Sequence, residues 1–231
     1  MELSIITINL NNSEGLKDTF RSIEGAGSLD FEYIVIDGKS NDSSQEVIRE
    51  FKRVDKFLIE SDEGVFDAMN KGVSLASRKY VYFLNSGDIL LDGIKRVRLL
   101  DSIEYYQVKT IVNGDIRHID LRPFPIHQGI VMLKSLLLEN RFDHSLKIFG
   151  DLDLWYRLDL KVDDPINNAI AVMYVEGLGS APEFIIKRIR DKARLWAKHK
   201  RIRDLASIFK MVLLLVAYKI FGINTYYKLA T

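Results

Sequence analysis

The sequence predicts an α/β domain on a mostly parallel sheet, closed by a basic and then apolar helical tail. Three observations predict it. Short apolar runs alternate with segments of helical spacing from Leu3 to Leu90. Each run ends in a polar turn of Asn, Asp, Gly and Ser. Charge is uneven: Lys187 to Asp204 holds nine Lys/Arg and two Asp, a local +7 in a chain of net +1, so the remainder carries −6.

Leu3 to Ile8 is apolar but for Ser4 and Thr7, as expected of a strand covered on both faces. Ser13 to Glu24 has helical spacing through Leu16, Phe20 and Ile23. Tyr33 to Ile36 is the second strand. Asp42, with Gln45 three residues on, fits a helix N-cap with its capping-box partner, and Val47, Ile48 and Phe51 supply the apolar face. Lys56 to Ile59 is a third strand, Phe66 to Ala76 a helix, and Tyr80 to Leu84 a fourth strand. Gly129 to Leu133 and Ile170 to Val175 also read as strands, and a helix opens at Gly150. Strands alternating with helices imply parallel pairing, and such sheets bind ligands beyond the carboxyl ends of their strands.

Composition narrows the function. With 231 residues, 47% apolar and 28% charged, a large core is available. The absence of cysteine excludes disulfides, thiolate nucleophiles and cysteine-ligated metal. The balanced net charge argues against a generic nucleic-acid binder. The start, MELSIITINLNN, lacks a basic stretch followed by a long apolar one, so no signal peptide is expected and a cytoplasmic location fits. A domain boundary is expected near Ala181-Pro182, giving a domain over 1–181 and a tail over 182–231.

The four strand ends deliver amides, carboxylates and glycines to one rim. They are Asn9, Asn11 and Asn12; Asp37 to Asp42; Ser61 to Gly64; and Asn85-Ser86-Gly87-Asp88. Any one of these is also an ordinary turn; four together fit a diphosphate site.

The segments IITINLNN, YIVIDGKSNDSS, ESDEGVFDAMNKGVSLASRKYVYFLNSGDIL and FDHSLKIFGDLDLWYRL resemble family-two glycosyltransferases of the Rossmann-like GT-A fold, nearest to those of capsule, colanic-acid and O-antigen assembly. The resemblance covers about residues 1–180 and is most specific over Ile59–Leu90. It implies a nucleoside-diphosphate sugar donor, a divalent metal (Mn²⁺ or Mg²⁺) and inversion at the anomeric carbon. Thr7 and Asn9 match the strand end lying against the nucleotide. Asp37 matches the carboxylate that contacts base and ribose, and a carboxylate accepts from both. Asp42 matches a second acid, beside its reading as a helix cap. Asp67, Asn70 and Lys71 match the helix beneath the donor, with Lys71 either on phosphate or merely at the surface.

Asn85-Ser86-Gly87-Asp88 falls where the family has its metal motif. Two departures stand out. This motif keeps one acid where most members have two or three, leaving Asp88 as the metal ligand with Asn85 as a neutral helper. Gly38 stands where many members have a further Asp. Asp151 matches the general base that inversion requires opposite the leaving diphosphate. A first-turn acid complementing the helix dipole is its other reading, and Asp153 is the fallback base. His127-Gln128 matches a recurring pair that contacts acceptor or phosphates, or else is structural. Gly177-Leu178-Gly179-Ser180 resembles a loop closing over the donor, or is a plain turn.

The tail points to a site of action. Its basic part attracts anionic headgroups at roughly 1 kcal/mol per cation near the surface. Leu205 to Ile223 is apolar but for Lys210 and Lys219, too short an uncharged run to span with confidence. It would lie in the membrane interface with Tyr226 and Tyr227 at headgroup level, at the inner face of the cell membrane, bringing the enzyme to a glycan or lipid-linked acceptor. Packing against a sister subunit, as a homo-oligomer, is the alternative. Removing the tail is expected to leave the domain folded. Two other classes remain: a catalytically weak binding or scaffold module, and a nucleotidyltransferase, which would usually carry a Gly-rich basic loop where Asn9-Leu10-Asn11-Asn12 stands.

Overall fold

β1 (Leu3–Asn9) is buried at every position and lies in the middle of the parallel half of the sheet. The computed structural model describes residues 2–99, 102–112, 115–118, 125–160, 165–174 and 184–221. β1 pairs in parallel with β2 (Glu32–Asp37) on one side and β4 (Tyr80–Phe83) on the other, and β2 pairs in parallel with β3 (Lys56–Ile59). The register sets Asn9 beside Asp37, so two polar strand ends emerge together.

The helices follow the apolar spacing. α1 (Ser13–Gly25) starts where the Asn12 side chain accepts from Gly15 N–H, and it buries Leu16, Thr19, Phe20 and Ile23. α2 (Ser44–Glu50) begins after Ser43, not Asp42. The Asp42 carboxylate accepts from Ser44 N–H and also from Ser13 N–H, stitching two rim loops together, while Gln45 donates to the Ser40 carbonyl. α3 (Val65–Leu75) packs on the other face with Phe66, Met69 and Val73 against Ile6, Ile34 and Ile36. Phe20, Tyr33 and Tyr82 belong to the opposite layer.

The second half of the chain extends this sheet with mixed pairing. It contributes β5 (Ile89–Leu90), β6 (Ile103–Val112), β7 (Asp115–His118), β8 (Ile130–Leu133) and β9 (Ile166–Tyr174). The order is β3-β2-β1-β4-β8-β6-β9-β5, with β7 paired to β6. β8 is antiparallel to β4, and β6 bridges β8 (antiparallel) and β9 (parallel). A 3-10 turn, His127–Gly129, leads into β8, which runs on into α4 (Lys134–Glu139). α5 (Gly150–Arg157) buries Leu154 and Trp155 beside α3.

The tail forms α6 (Ile185–His199) and α7 (Ile202–Phe221). α6 is wired into the domain. Asp191 accepts from the backbone N–H groups of Lys147 and Ile148, both at 2.7 Å. Asp153 of α5 is fully buried and holds Lys198 and His199 at 2.8 Å and Arg157 at 2.9 Å. Burial alone would raise its pKa; the hydrogen bonds from Lys198, His199 and Arg157 outweigh burial and lower it. Lys192 pairs with buried Asp204, and Leu195 packs on Leu146 and Tyr156. Deleting everything after Ala181 would take Lys198 and His199 from the buried Asp153 carboxylate and the Asp191 acceptor from the Lys147 and Ile148 N–H groups, so α6 is part of the packing of the domain. The boundary at Ala181-Pro182, the Gly177–Ser180 loop, Tyr226 and Tyr227 lie outside the described residues.

Candidate active site

The rim is assembled from β1, β2, β4, the turn before β8 and the start of α5. Asp37 accepts from Ser40 N–H at 2.8 Å, from the Ser40 hydroxyl at 2.7 Å and from Asn9 Nδ2 at 2.8 Å. It has no exposed surface and sets the shape of the loop. Thr7 is likewise fully buried. Its hydroxyl donates to the Leu84 carbonyl and is left to accept from Tyr33, which spends its capacity inside the sheet. Both side chains thus brace the rim from within the sheet. Asn9 differs: its Oδ1 is buried without a partner.

Asn70 is likewise engaged within the fold. Its amide donates to the Phe142 carbonyl and accepts from Phe142 N–H, clamping a distant loop. Lys71 donates to Ser61 O and to the carboxylates of Glu60 and Asp67, and Asp67 also accepts from Glu63 N–H. Asp67 and Lys71 thus brace the loop after β3. That loop supplies a residue that motif reading did not single out. A β-carbon on Gly38 would meet the Asp62 carboxylate at 2.5 Å. Asp62 reaches into the space that a side chain at position 38 would take, so the two loops approach closely there. No spacing rule announces such a contact, because it is formed only by tertiary packing.

The Asn85–Asp88 turn is fixed by α1 and by β8's lead-in. Gly87 has φ +98°, a region that favours glycine. Its N–H donates to the Thr19 hydroxyl, which donates in turn to the Asp88 carbonyl. The Asp88 carboxylate is 6% exposed and accepts from Gln128 Nε2 and Asn85 N–H, each at 3.1 Å. Burial pushes its pKa up to about 6, against the lowering effects of Gln128, His127 and the Asn85 N–H.

His127 joins this turn to α5. Its Nε2 lies 3.0 Å from Asn85 Nδ2, and its Nδ1 3.4 Å from Asp151 Oδ2. If Asn85 donates to Nε2, the ring keeps its proton on Nδ1 and offers it to Asp151. Asp151 is partly exposed, whereas Asp153, the fallback base, is fully buried against Arg157 and Lys198. His127 and Gln128 contact Asn85, Asp151 and Asp88 and tie the three together.

Among the described residues no three His, Cys, Asp or Glu side chains cluster as a complete metal cage. The donors still suit one kind of ion. Asp88 gives a carboxylate, and Asn85 Oδ1 is buried with no partner. Mg²⁺ and Mn²⁺ take hard oxygens, commonly one or two carboxylates with substrate phosphates and water completing the shell. The turn fits an ion shared with a diphosphate.

An α/β sheet of this order, with its polar rim at the strand ends, defines a Rossmann-like GT-A domain. The model of glycosyl transferase family 2 matches residues 4–152, and the chain belongs to that family. A PGL/p-HBAD biosynthesis glycosyltransferase of Mycobacterium tuberculosis is 32% identical over 117 residues, 49% of this chain and 46% of that protein. An uncharacterized glycosyltransferase of Methanocaldococcus jannaschii is 24% identical over 187 residues, 67% of this chain and 63% of that protein. The chain thus spans about half the length of the mycobacterial relative. Among solved structures, Staphylococcus aureus TarS in complex with UDP-GlcNAc has a TM-score of 0.62 at 16% identity, covering 95% of this chain and 73% of that one. The mannosyltransferase PcManGT of Pyrobaculum calidifontis, in complex with GDP-Man and Mn²⁺, has a TM-score of 0.63 at 12% identity, covering 99% and 73%. These likenesses establish the shared fold.

Proposed function

We propose that this chain transfers a sugar from a nucleoside-diphosphate donor to an acceptor hydroxyl, with inversion. The observation that carries the reading is the hydrogen-bonded run Asp151–His127–Asn85 beside buried Asp88. It links a partly exposed carboxylate to an under-coordinated acidic turn. Asp151 is the general base: it takes the proton of the acceptor hydroxyl as that oxygen attacks. His127 orients that carboxylate through Nδ1. Asp88 and Asn85 hold a divalent ion, which when bound offsets the charge growing on the diphosphate. Asp37, Thr7 and Ser40 shape the nucleotide pocket, and Asp67 with Lys71 steadies its wall. The nucleotide sugars in the TarS and PcManGT complexes, and the Mn²⁺ in the latter, support this reading. The acceptor is a lipid-linked glycan of bacterial surface polysaccharide assembly, met at the inner face of the cell membrane. The name of the mycobacterial relative, a biosynthesis glycosyltransferase, accords with this.

A thermal-shift screen of UDP-, GDP- and dTDP-sugars with and without Mn²⁺ tests the reading. One donor should raise the melting temperature by mass action, and only with Mn²⁺ present. The thinned metal turn favours a second reading, a scaffold that keeps the fold without turnover. Absence of donor hydrolysis in Mn²⁺, despite donor binding, would select it.

A further inference from the structure

We infer that α7 is an in-plane docking helix for an anionic phospholipid surface. Its outward face is apolar along its length. Leu205, Phe209, Val212, Leu213, Val216 and Ile220 are all exposed, Phe209 by 67% and Ile220 by 65%. At about 100° per residue they fall within an arc of roughly 100° around Phe209. No described helix is long and apolar enough to cross a membrane, so the stripe lies along a surface.

The charges decide the occupant. On the same wheel Lys210 falls about 100° to one side of Phe209, and Lys219 about 80° to the other. Two lysines that cannot share one polar face instead border the apolar stripe on opposite edges. Both are exposed. That is the arrangement in which lysine stems cover apolar surface while their ammonium groups reach headgroup phosphates. The one acid of α7, Asp204, faces inward, where Lys192 and the Tyr156 hydroxyl hold it. The outward face therefore offers cations and no carboxylate. A second copy packed stripe to stripe would set cationic edges together with no acid on either helix to separate them. An anionic bilayer matches both the stripe and its borders. Since α6 is locked to α5 through Asp153, the docked helix is mechanically continuous with the helix bearing Asp151.

The inference extends the lipid-linked-acceptor reading, but its test uses no sugar transfer, so each stands or falls separately. The full chain is floated with vesicles of phosphatidylcholine alone and of phosphatidylcholine mixed with phosphatidylglycerol. We expect flotation only with the mixed vesicles, and partial release at 1 M salt, where the Debye length falls to about 3 Å. Lys210→Glu with Lys219→Glu should weaken binding at least about tenfold, and Phe209→Asp with Val216→Asp should abolish it. All four positions are exposed, and circular dichroism checks that each variant is folded. Equal flotation with neutral vesicles, or none with either, overturns the inference. So does a dimer in sedimentation that Phe209→Asp with Val216→Asp turns into a monomer.

Discussion

Glu32 and Asp88 are both buried carboxylates, each 6% exposed, at opposite ends of the same parallel strands. Glu32, where β2 begins, accepts from the Ser4 hydroxyl, from Ser77 N–H and hydroxyl, and from Lys56. Burial would raise its pKa, but these partners outweigh burial and hold it at about 2. Asp88, beyond the end of β4, has two long hydrogen bonds from neutral groups, and burial wins. One end of the sheet satisfies its carboxylate fully and gains stability. The other leaves its carboxylate short of partners, which costs stability; under the reading proposed above, that is the place for an incoming cation.

The sharpest break of this contrast is Asp88→Asn. Mn²⁺-dependent donor binding should vanish and transfer fall by about 10³-fold or more, with the loss read in an assay of Mn²⁺-dependent turnover. In chelator at pH 7 the same variant should melt higher than the wild type. An acid whose folded pKa is raised from 3.8 to about 6 loses stability as pH climbs through that window. The penalty above it is on the order of 2–3 kcal/mol. An unchanged melting temperature alongside full turnover would dissolve the contrast.

Asp151→Asn should lower turnover by about 10²-fold while leaving donor affinity intact, since it removes only the proton acceptor. His127→Ala should reproduce part of that loss and shift the pH profile of kcat. An equal loss for Asp153→Asn, without unfolding, would return the base to that position.

The smallest effect is expected at the quiet end. Glu32→Gln should cost roughly 2–3 kcal/mol in denaturant melts and leave donor affinity unchanged. Its folded pKa of about 2 lies below the ordinary 4.5, so its contribution is complete above 4.5 and lost as pH falls towards 2. Wild type and variant should therefore converge in stability at the acid end of a pH series.

The first four strands and three helices were legible because each is a local, strongly periodic apolar pattern. β6 went unread for a physical reason. It alternates as a strand should, but its inward positions are Glu104, Tyr106, Val108 and Thr110, two of them polar. β5 is two residues long and carries no pattern. At the site the residue types were legible and the accessibility was not. That Ser40 and Asn9 close over Asp37, and Tyr33 over Thr7, follows from tertiary packing alone. The link from His127 to Asn85 and Asp151 spans 42 and 24 positions, distances over which no periodicity speaks.

The strand order carries a consequence for synthesis. β1 to β4 form one contiguous block of the sheet, so Asn9 and Asp37 can settle while the rest is still being translated, whereas the Asn85–Asp88 turn waits for His127 and Gln128. The α5 segment with Asp151 comes later, and the pocket for Asp153 is not complete until Lys198 and His199 leave the ribosome. A nascent chain thus completes its first four strand ends well before α5 and the α6 residues that hold Asp153.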